Sequence, residues 1–334
     1  MTTGTATPAA PQTDEDPQTA RPLPTRLPSW RTAGILLPFL ALFIALSIRS
    51  GPFLTSGNLL NILDQQSAIL IIAAAGTLVL ISGGIDLSVG ATYALSGVVS
   101  AQYAQNHSIL AAIALGVGIG LLVGLVNGFI SSVLRINSLI ATLSMSFIIS
   151  GLASKVTDGN LIVLTGHPAF DKIAQTSFLS VRTSIWIALA AILFLAILLA
   201  RTTTGRYLYA AGGNAEAARL AGVRVNRVRI AAFAASGTAA GLGGIIDTSR
   251  VLSAQSSSGD ALAFTVLAGI VVGGTSILGG EGAVWRTVVG VLFIALVGNG
   301  FDLLGVNPLY QQTTLGVILL LAVGLDAWSR AARR

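Results

Sequence analysis

Long runs of apolar residues, separated by short charged or glycine-rich segments, recur along almost the whole chain. Four of them are TAGILLPFLALFIALSI (32–48), ILAAIALGVGIGLLVGLVNGFISSVL (109–134), IWIALAAILFLAILLA (185–200) and LGVILLLAVGL (315–325). Several approach the roughly 20 residues that a helix needs to cross a bilayer. The strands of a membrane barrel would instead alternate over about ten residues, and this pattern is absent from the sequence. The runs therefore predict membrane-spanning helices.

Charges, prolines and glycine clusters divide these runs into about ten predicted spans. The chain is thus expected to be an all-α, polytopic integral membrane protein with one transmembrane domain over 32–328. Before it lies a Pro- and Thr-rich segment, 1–31, that we expect to be a disordered cytoplasmic tail, and after it a short basic tail, 329–334. The predicted spans are 32–48, 60–82, 88–104, 109–134, 138–154, 185–201, 229–247, 261–279, 287–304 and 311–328.

Composition agrees with a membrane protein. Apolar residues make up 53% of the 334 residues and charged residues only 10%, with a mean hydropathy of +0.81. This leaves too little polar surface for a soluble globule of that length. The chain has no cysteine, which excludes disulfides, thiol catalysis and thiolate metal sites.

The basic residues predict the orientation of the chain. With the N-terminus inside, most of the 19 lysines and arginines fall in the tails and in connections on the cytoplasmic side. This follows the positive-inside rule and predicts that both termini are cytoplasmic. It also accounts for the net charge of +6 without a nucleic-acid partner.

Enzyme signatures are missing from the sequence. Neither lysine lies in a G-K-[ST] element that would hold a nucleotide phosphate. The two histidines lack metal-ligand spacing, and no G-x-S-x-G elbow is present. We therefore expect no enzymatic activity, metal or cofactor in this chain.

A few polar residues lie inside the predicted spans. Asp86 lies in SGGIDLSVG (82–90), where paired glycines break a helix; capping of the next helix is our favoured interpretation, with pathway lining as the alternative. Asn127 and Asn299, like Gln65 and Gln66, are suited to hydrogen-bonding a neutral polyol. Bonds between helices would use the same side chains.

Glycine spacing predicts close helix contacts. Gly116, Gly120, Gly124 and Gly128 recur every four residues, as do Gly237 and Gly241. Such faces allow helices to approach closely, so we interpret them as packing surfaces.

Two local echoes hint at an internal duplication. The segment SGGIDLSVG (82–90) resembles VGGTSILGG (272–280), and NGF occurs at 127–129 and at 299–301. The offsets differ between the two pairs, so this indication of a repeat is weak.

The longest charged connection on the cytoplasmic side is the loop of about 202–228. Within it, Glu216, Ala217 and Ala218 are followed by Gly222, which gives the pattern E-A-A-x-x-x-G. Residues 215–220 favour a short helix with small side chains, and a glycine supplies a tight exit. This loop resembles the cytoplasmic coupling loop of ATP-binding-cassette importer permeases, although no Leu-Pro follows, which leaves the end of the coupling helix open.

Several other segments resemble the ribose-type sugar permease family, over about 35–328. They are GTLVLISGGIDLSVGATYALSG (76–97), VNGFI (126–130), IATLSMSFIISGLA (140–153), SGTAAGLGGII (236–246), VVGGTSILGGEG (271–282) and VGNGFDLLGV (297–306). The resemblance implies a permease in the cytoplasmic (inner) membrane that pairs with a second copy. Its other implied partners are an ATPase subunit inside and an extracytoplasmic solute-binding protein.

The resemblance also implies roles for individual residues. Carried over by position, Glu216, Ala217, Ala218 and Gly222 belong to the coupling helix. The broken-helix elements near the pathway contain Gly83, Gly84, Asp86, Gly273 and Gly274. Asn127 and Asn299 complete the candidates for the pathway or its gate.

The sequence therefore predicts the permease subunit of an ATP-binding-cassette importer, with a monosaccharide as the favoured solute. A secondary transporter is the alternative, because broken glycine-rich helices are also typical of that class. Branched-chain amino acids or nucleosides are alternative cargoes of the same class of importer.

Overall fold

The computed structural model describes residues 1–2, 34–164, 168–307 and 309–331, and the all-α expectation is confirmed. Apart from residues 1–2, the predicted tail 1–31 lies outside the described residues, as do residues 332–334. The helices are α1 (Leu36–Arg49), α2 (Ser56–Ile81), α3 (Val89–Ala104), α4 (Ile109–Ser132), α5 (Ser138–Thr157), α6 (Pro168–Asp171), α7 (Thr183–Arg201), α8 (Thr203–Gly213), α9 (Ala215–Leu220), α10 (Val225–Val251), α11 (Leu262–Val272), α12 (Val284–Leu303) and α13 (Leu309–Ala331).

Each of the ten predicted spans overlaps one helix: α1 to α5, α7, and α10 to α13. Within the described residues, six helices are long and apolar enough to cross a membrane: α2, α4, α5, α7, α10 and α12. The prediction of a span over 261–279 is wrong in extent, because the helix ends at Val272, where Gly273 and Gly274 follow. In contrast, α13 continues past the predicted end at 328. The exact number of spans stays a prediction.

The helices form a buried centre and an apolar periphery. In the most apolar 18-residue stretch of each helix, 78% of the residues of α2 and 61% of those of α10 are buried. The buried share is 22% in each of α4, α5 and α7. The outer helices expose large apolar side chains such as Leu122, Phe147, Phe194 and Leu320. A soluble protein would bury such a surface, so it is suited to contact with lipid.

The central contact is a glycine seam between α4 and α10. A Cβ atom added to Gly120 would overlap the carbonyl oxygen of Gly237, and one added to Gly237 would overlap that of Gly120. Gly124 meets the carbonyl of Phe233 in the same way. The two backbones therefore touch directly, as the four-residue spacing predicted.

Two short antiparallel ladders lie between the helices. β1 (Ile162–Val163) pairs with β4 (Ser253–Ala254), and β2 (Ser177–Phe178) forms a hairpin with β3 (Val181–Arg182). The hairpin is tied to α2, because Arg182 Nη1 lies 2.8 Å from Asp64 Oδ2 and the Ser184 hydroxyl donates to Asp64 Oδ1. Asp64 is thereby buried with its charge paired.

The seam predicts a sharp difference between two glycines of α4. Gly120→Ala forces a methyl group into the backbone of α10, and overpacking of this kind costs about 1–3 kcal/mol. Gly118→Ala is the matched control, since nothing lies within 4 Å of its added Cβ. We expect only Gly120→Ala to lower the unfolding temperature in detergent. Equal unfolding temperatures for the two variants would contradict the seam.

Candidate functional site

The charged loop folds into two helices, α8 and α9. The side chain of Asn214 caps α9, because its Oδ1 accepts hydrogen bonds from the backbone nitrogens of Glu216 (3.1 Å) and Ala217 (3.0 Å). At the other end, Gly222 has a φ of 84°. Its N–H and that of Val223 bond the carbonyls of Arg219 and Ala218, each at 2.9 Å, which forms a Schellman turn. The short helix with a tight glycine exit is present where the sequence predicted it.

The two faces of α9 differ in burial. Ala218 is 5% exposed and belongs to the same buried cluster as Leu208 of α8 and Val225 of α10. Ala217 is exposed, and Leu220 is 84% exposed. Helix α9 is therefore anchored on one side and presents a small apolar surface on the other. The sequence reasoning missed Leu220, although its spacing of three residues from Ala217 indicates a shared face.

Helices α2 and α11 are each followed by a non-helical segment, and we call these two segments the chain breaks. The C-terminal end of α8 contacts both of them. We call this contact the glycine junction. The Gly280 N–H donates to the carbonyl of Ile81 at 2.9 Å. A Cβ on Gly212 would overlap that same carbonyl, and one on Gly279 would lie 2.9 Å from the Cα of Gly83. The junction consists of Gly83, Gly212, Gly213, Gly279 and Gly280.

Two side chains reinforce the glycine junction. Arg229, at the start of α10, donates from Nε to the carbonyl of Ser82 at 3.0 Å. Tyr209 of α8 donates its hydroxyl to the carbonyl of Gly282 at 2.8 Å. Burial raises the pKa of the Tyr209 hydroxyl above its ordinary value. Each chain break is thus held by a side chain from a neighbouring helix.

The two chain breaks have the same local backbone structure. Gly83 and Gly274 have φ angles of 85° and 82°, which favour glycine. At each break, three successive backbone N–H groups donate hydrogen bonds to carbonyls that lie, in turn, four, three and five residues earlier in the chain. They are those of Ser82, Gly83 and Gly84 in the first break and of Gly273, Gly274 and Thr275 in the second. The two breaks therefore share a turn, but the turn aligns Gly83 with Gly274, one residue out of register with the echo between 82–90 and 272–280.

Asp86 lies at the centre of a hydrogen-bond network between the first break and α3. Its Oδ1 accepts from the backbone N (3.0 Å) and the hydroxyl (2.7 Å) of Ser88, which precedes α3. Its Oδ2 accepts from the Ser236 hydroxyl of α10 at 2.8 Å. Asn127 of α4 donates to the Ser88 hydroxyl at 2.7 Å and is fully buried. Asp86 therefore closes the turn before α3 and accepts no hydrogen bond from a backbone N–H of α3 itself, so its capping role stays a prediction. Asn127 lies in a contact between α4 and the start of α3.

Asn299 lies elsewhere, on a cavity of about 520 Å³ between α2, α11, α12 and α13. It exchanges hydrogen bonds of 2.9 and 3.2 Å with Asn58. We call this space the carboxamide cavity. The carboxamides that line it belong to Asn58, Asn61, Gln65, Gln66, Asn299, Gln311 and Gln312.

The carboxamide cavity and the glycine junction lie at opposite ends of α2. At 1.5 Å per residue, Gln65 is about 24 Å from Ile81 along the helix axis. The predicted pathway residues thus separate into two groups, with Asp86 and the breaks at one end and Asn299 at the other. The cleft beside Asp86 has a volume of only about 20 Å³, enough for about one water molecule.

The sequence is similar to known proteins over most of its length. Residues 58–323 match the family described as branched-chain amino acid transport system / permease component. The ribose import permease protein of Escherichia coli (strain K12) is 39% identical over 298 residues, covering 87% of this chain and 92% of that protein. Its Bacillus subtilis (strain 168) counterpart is 40% identical over 294 residues, covering 86% and 91%.

A pentose permease of another type is similar to the chain as well. The L-arabinose ABC transporter permease protein of Azospirillum brasilense is 37% identical over 303 residues, covering 90% of this chain and 89% of that protein. No solved structure matches the chain.

The Asp86 network predicts that hydrogen bonding, more than charge, stabilises this region. In Asp86→Asn the remaining oxygen still accepts both Ser88 contacts, and the amide donates to Ser236. Asp86→Leu leaves these groups unpaired, at about 1–3 kcal/mol each. We expect Asp86→Asn to retain folded yield and unfolding temperature and Asp86→Leu to lower both. An equal loss in the two variants would show that the charge itself is required.

Proposed function

The chain belongs to the branched-chain amino acid transport system / permease component family, and from this premise we propose that it is the membrane-spanning permease subunit of an ATP-binding-cassette importer that carries a monosaccharide. The observation that carries the proposal is the identity of 39–40% with ribose import permease proteins over 86–87% of the chain. An L-arabinose permease is similar over a comparable length. These relatives support a pentose or a related sugar as cargo.

The energy for transport comes from a separate ATPase subunit. The chain has no phosphate-binding G-K-[ST] element of its own. Helix α9 is the docking element, because its exposed Ala217 and Leu220 form a small apolar surface beside the carboxylate of Glu216. The salt bridge of that carboxylate with Arg219 (2.9 Å) is exposed, so it costs little to rearrange on docking.

Movement of α9 reaches both chain breaks through direct contacts. Ala218 fixes α9 against α8 and α10. The end of α8 lies in the glycine junction, where both breaks meet. Because no side chain separates these backbones, a shift of α8 must displace the breaks at Gly83 and Gly279. The arrangement supports a mechanical connection from the ATPase to the broken helices.

Two further partners belong to this assignment. A second copy of the permease and an extracytoplasmic solute-binding protein complete the importer. The charge pattern supports a multi-pass protein of the inner membrane with both termini and α9 in the cytoplasm. A secondary transporter has no need for a helix such as α9, so this alternative is not favoured.

Proteoliposomes containing the permease, its ATPase subunit and its binding protein test the assignment. We expect uptake of a labelled pentose or hexose that requires ATP and the ATPase subunit. Ala217→Trp should abolish this uptake and reduce the co-purified ATPase at least about tenfold, equal to about 1.4 kcal/mol of docking free energy. The bulky ring blocks docking and leaves the buried face of α9 unchanged.

Thr204→Trp is the matched control, because Thr204 is exposed near the opposite end of α8. It should retain the ATPase and the uptake. Normal docking by Ala217→Trp would contradict the role of α9, and sugar uptake without any ATPase would contradict the importer assignment.

A further inference from the structure

We propose that the carboxamide cavity is a solute site that receives a neutral polyhydroxylated molecule of monosaccharide size, at the end of the bundle opposite α9. The proposal deepens the function proposed above and rests on it. It is carried by the juxtaposition of carboxamides from α2, α12 and α13 around one space.

The size of the cavity fits a small ligand. Its volume of about 520 Å³ lies within the roughly 300–1,000 Å³ of small-molecule sites. Apolar side chains complete the wall, among them Ile62, Ile69 and Leu315. A sugar presents both hydroxyls and C–H faces, so a wall that combines carboxamides with apolar groups matches both of its surfaces.

The charge of the lining selects against anionic solutes. Among the lining residues that the structure describes, none is a lysine or an arginine. The carboxylate of Asp302 accepts a hydrogen bond from Gln311 Nε2 at 3.3 Å. An amino acid or a phosphate ester needs a cation for its anionic group, whereas carboxamides donate to and accept from neutral hydroxyls. The lining therefore favours a neutral polyol over an anionic solute.

Several of the carboxamides have unused hydrogen-bonding capacity. Asn58 and Asn299 satisfy each other and fix α2 to α12. In the described part of the chain, no residue forms a hydrogen bond with the side chains of Asn61, Gln65 or Gln66. Gln65 lies about 14 Å along α2 from Ser56, and lipid tails offer it no partner. These groups are therefore available to water or a polar solute.

The absence of native cysteine makes the site directly testable. In membranes containing the whole importer, Gln65→Cys provides a unique thiol on the cavity wall. Leu193→Cys is the control, since Leu193 is 57% exposed on the apolar outer face of α7. We expect a water-soluble maleimide to modify Gln65→Cys faster than Leu193→Cys. D-ribose or L-arabinose, whichever the wild-type importer takes up, should slow the modification, and leucine should not.

Three results would overturn the proposal. They are equal modification of the two cysteines, modification of Gln65→Cys that the transported sugar leaves unchanged, and protection by leucine. In the second case sugar uptake persists, so only the cavity assignment fails. If no sugar is taken up and leucine protects the thiol, the monosaccharide assignment fails as well.

A second variant keeps the test independent of thiol chemistry. Gln66→Leu removes hydrogen-bonding capacity from the cavity and should raise the apparent KM for sugar uptake about tenfold. Gln66→Asn keeps a carboxamide and should recover part of the affinity. Because α9 lies at the far end of α2, the ATPase should co-purify with both variants. An unchanged KM in Gln66→Leu would count against the site.

Discussion

Direct backbone contact at the glycine junction is the constraint on which the rest of the structure depends. Three segments far apart in sequence meet there, and the Ile81 carbonyl accepts a hydrogen bond from Gly280 while Gly212 packs against it. Glycine is required by contact at some positions and by a positive φ at others, such as Gly83 and Gly279. Any side chain at Gly212 would separate α8 from both chain breaks. The turn that precedes Asp86 depends on this contact, whereas α9 is held through Ala218 against α8 and α10.

Helix α2 joins the two proposed functional regions. One of its ends contributes Asn58 and Gln65 to the carboxamide cavity, and the other ends at Ile81 in the glycine junction. It is also the most buried of the long apolar helices that the structure describes. Closely packed helices have few intermediate arrangements and transmit displacement. A change at α9 can therefore alter a site at the opposite end of α2.

Local patterns in the sequence predicted the features that depend on local chemistry. The helices followed from apolar runs, the close contact of α4 and α10 from glycine spacing, and α9 from a helix-forming stretch closed by Gly222. Asp86 was expected to cap the next helix because paired glycines break the helix before it, whereas its carboxylate bonds Ser88 in the turn that precedes α3. Asn214, which caps α9, was missed although Asn immediately before a helical segment is a recognised signal.

Features that depend on long-range packing could not be predicted in this way. Asn127 and Asn299 each begin an Asn-Gly-Phe triplet, yet Asn127 is buried in a helix contact and Asn299 lines a cavity. The meeting of Gly212 with Gly280, and of Asp64 with Arg182, brings together residues with no local relation. Tertiary contacts decide each of these cases. The early end of α11 at Val272 is instead a local effect, because an average of hydropathy does not distinguish the turn at Gly273 and Gly274 from the helix before it.

The most direct test of the account compares two neighbouring glycines of α8 in the reconstituted importer. A Cβ at Gly212 overlaps the Ile81 carbonyl, whereas nothing lies within 4 Å of a Cβ at Gly213. The measurement is sugar uptake per ATP hydrolysed, with ATPase co-purification as a check on docking. The account predicts that Gly212→Ala binds the ATPase but loses coupled uptake, while Gly213→Ala behaves as wild type. Coupled uptake by Gly212→Ala equal to that of Gly213→Ala would contradict it.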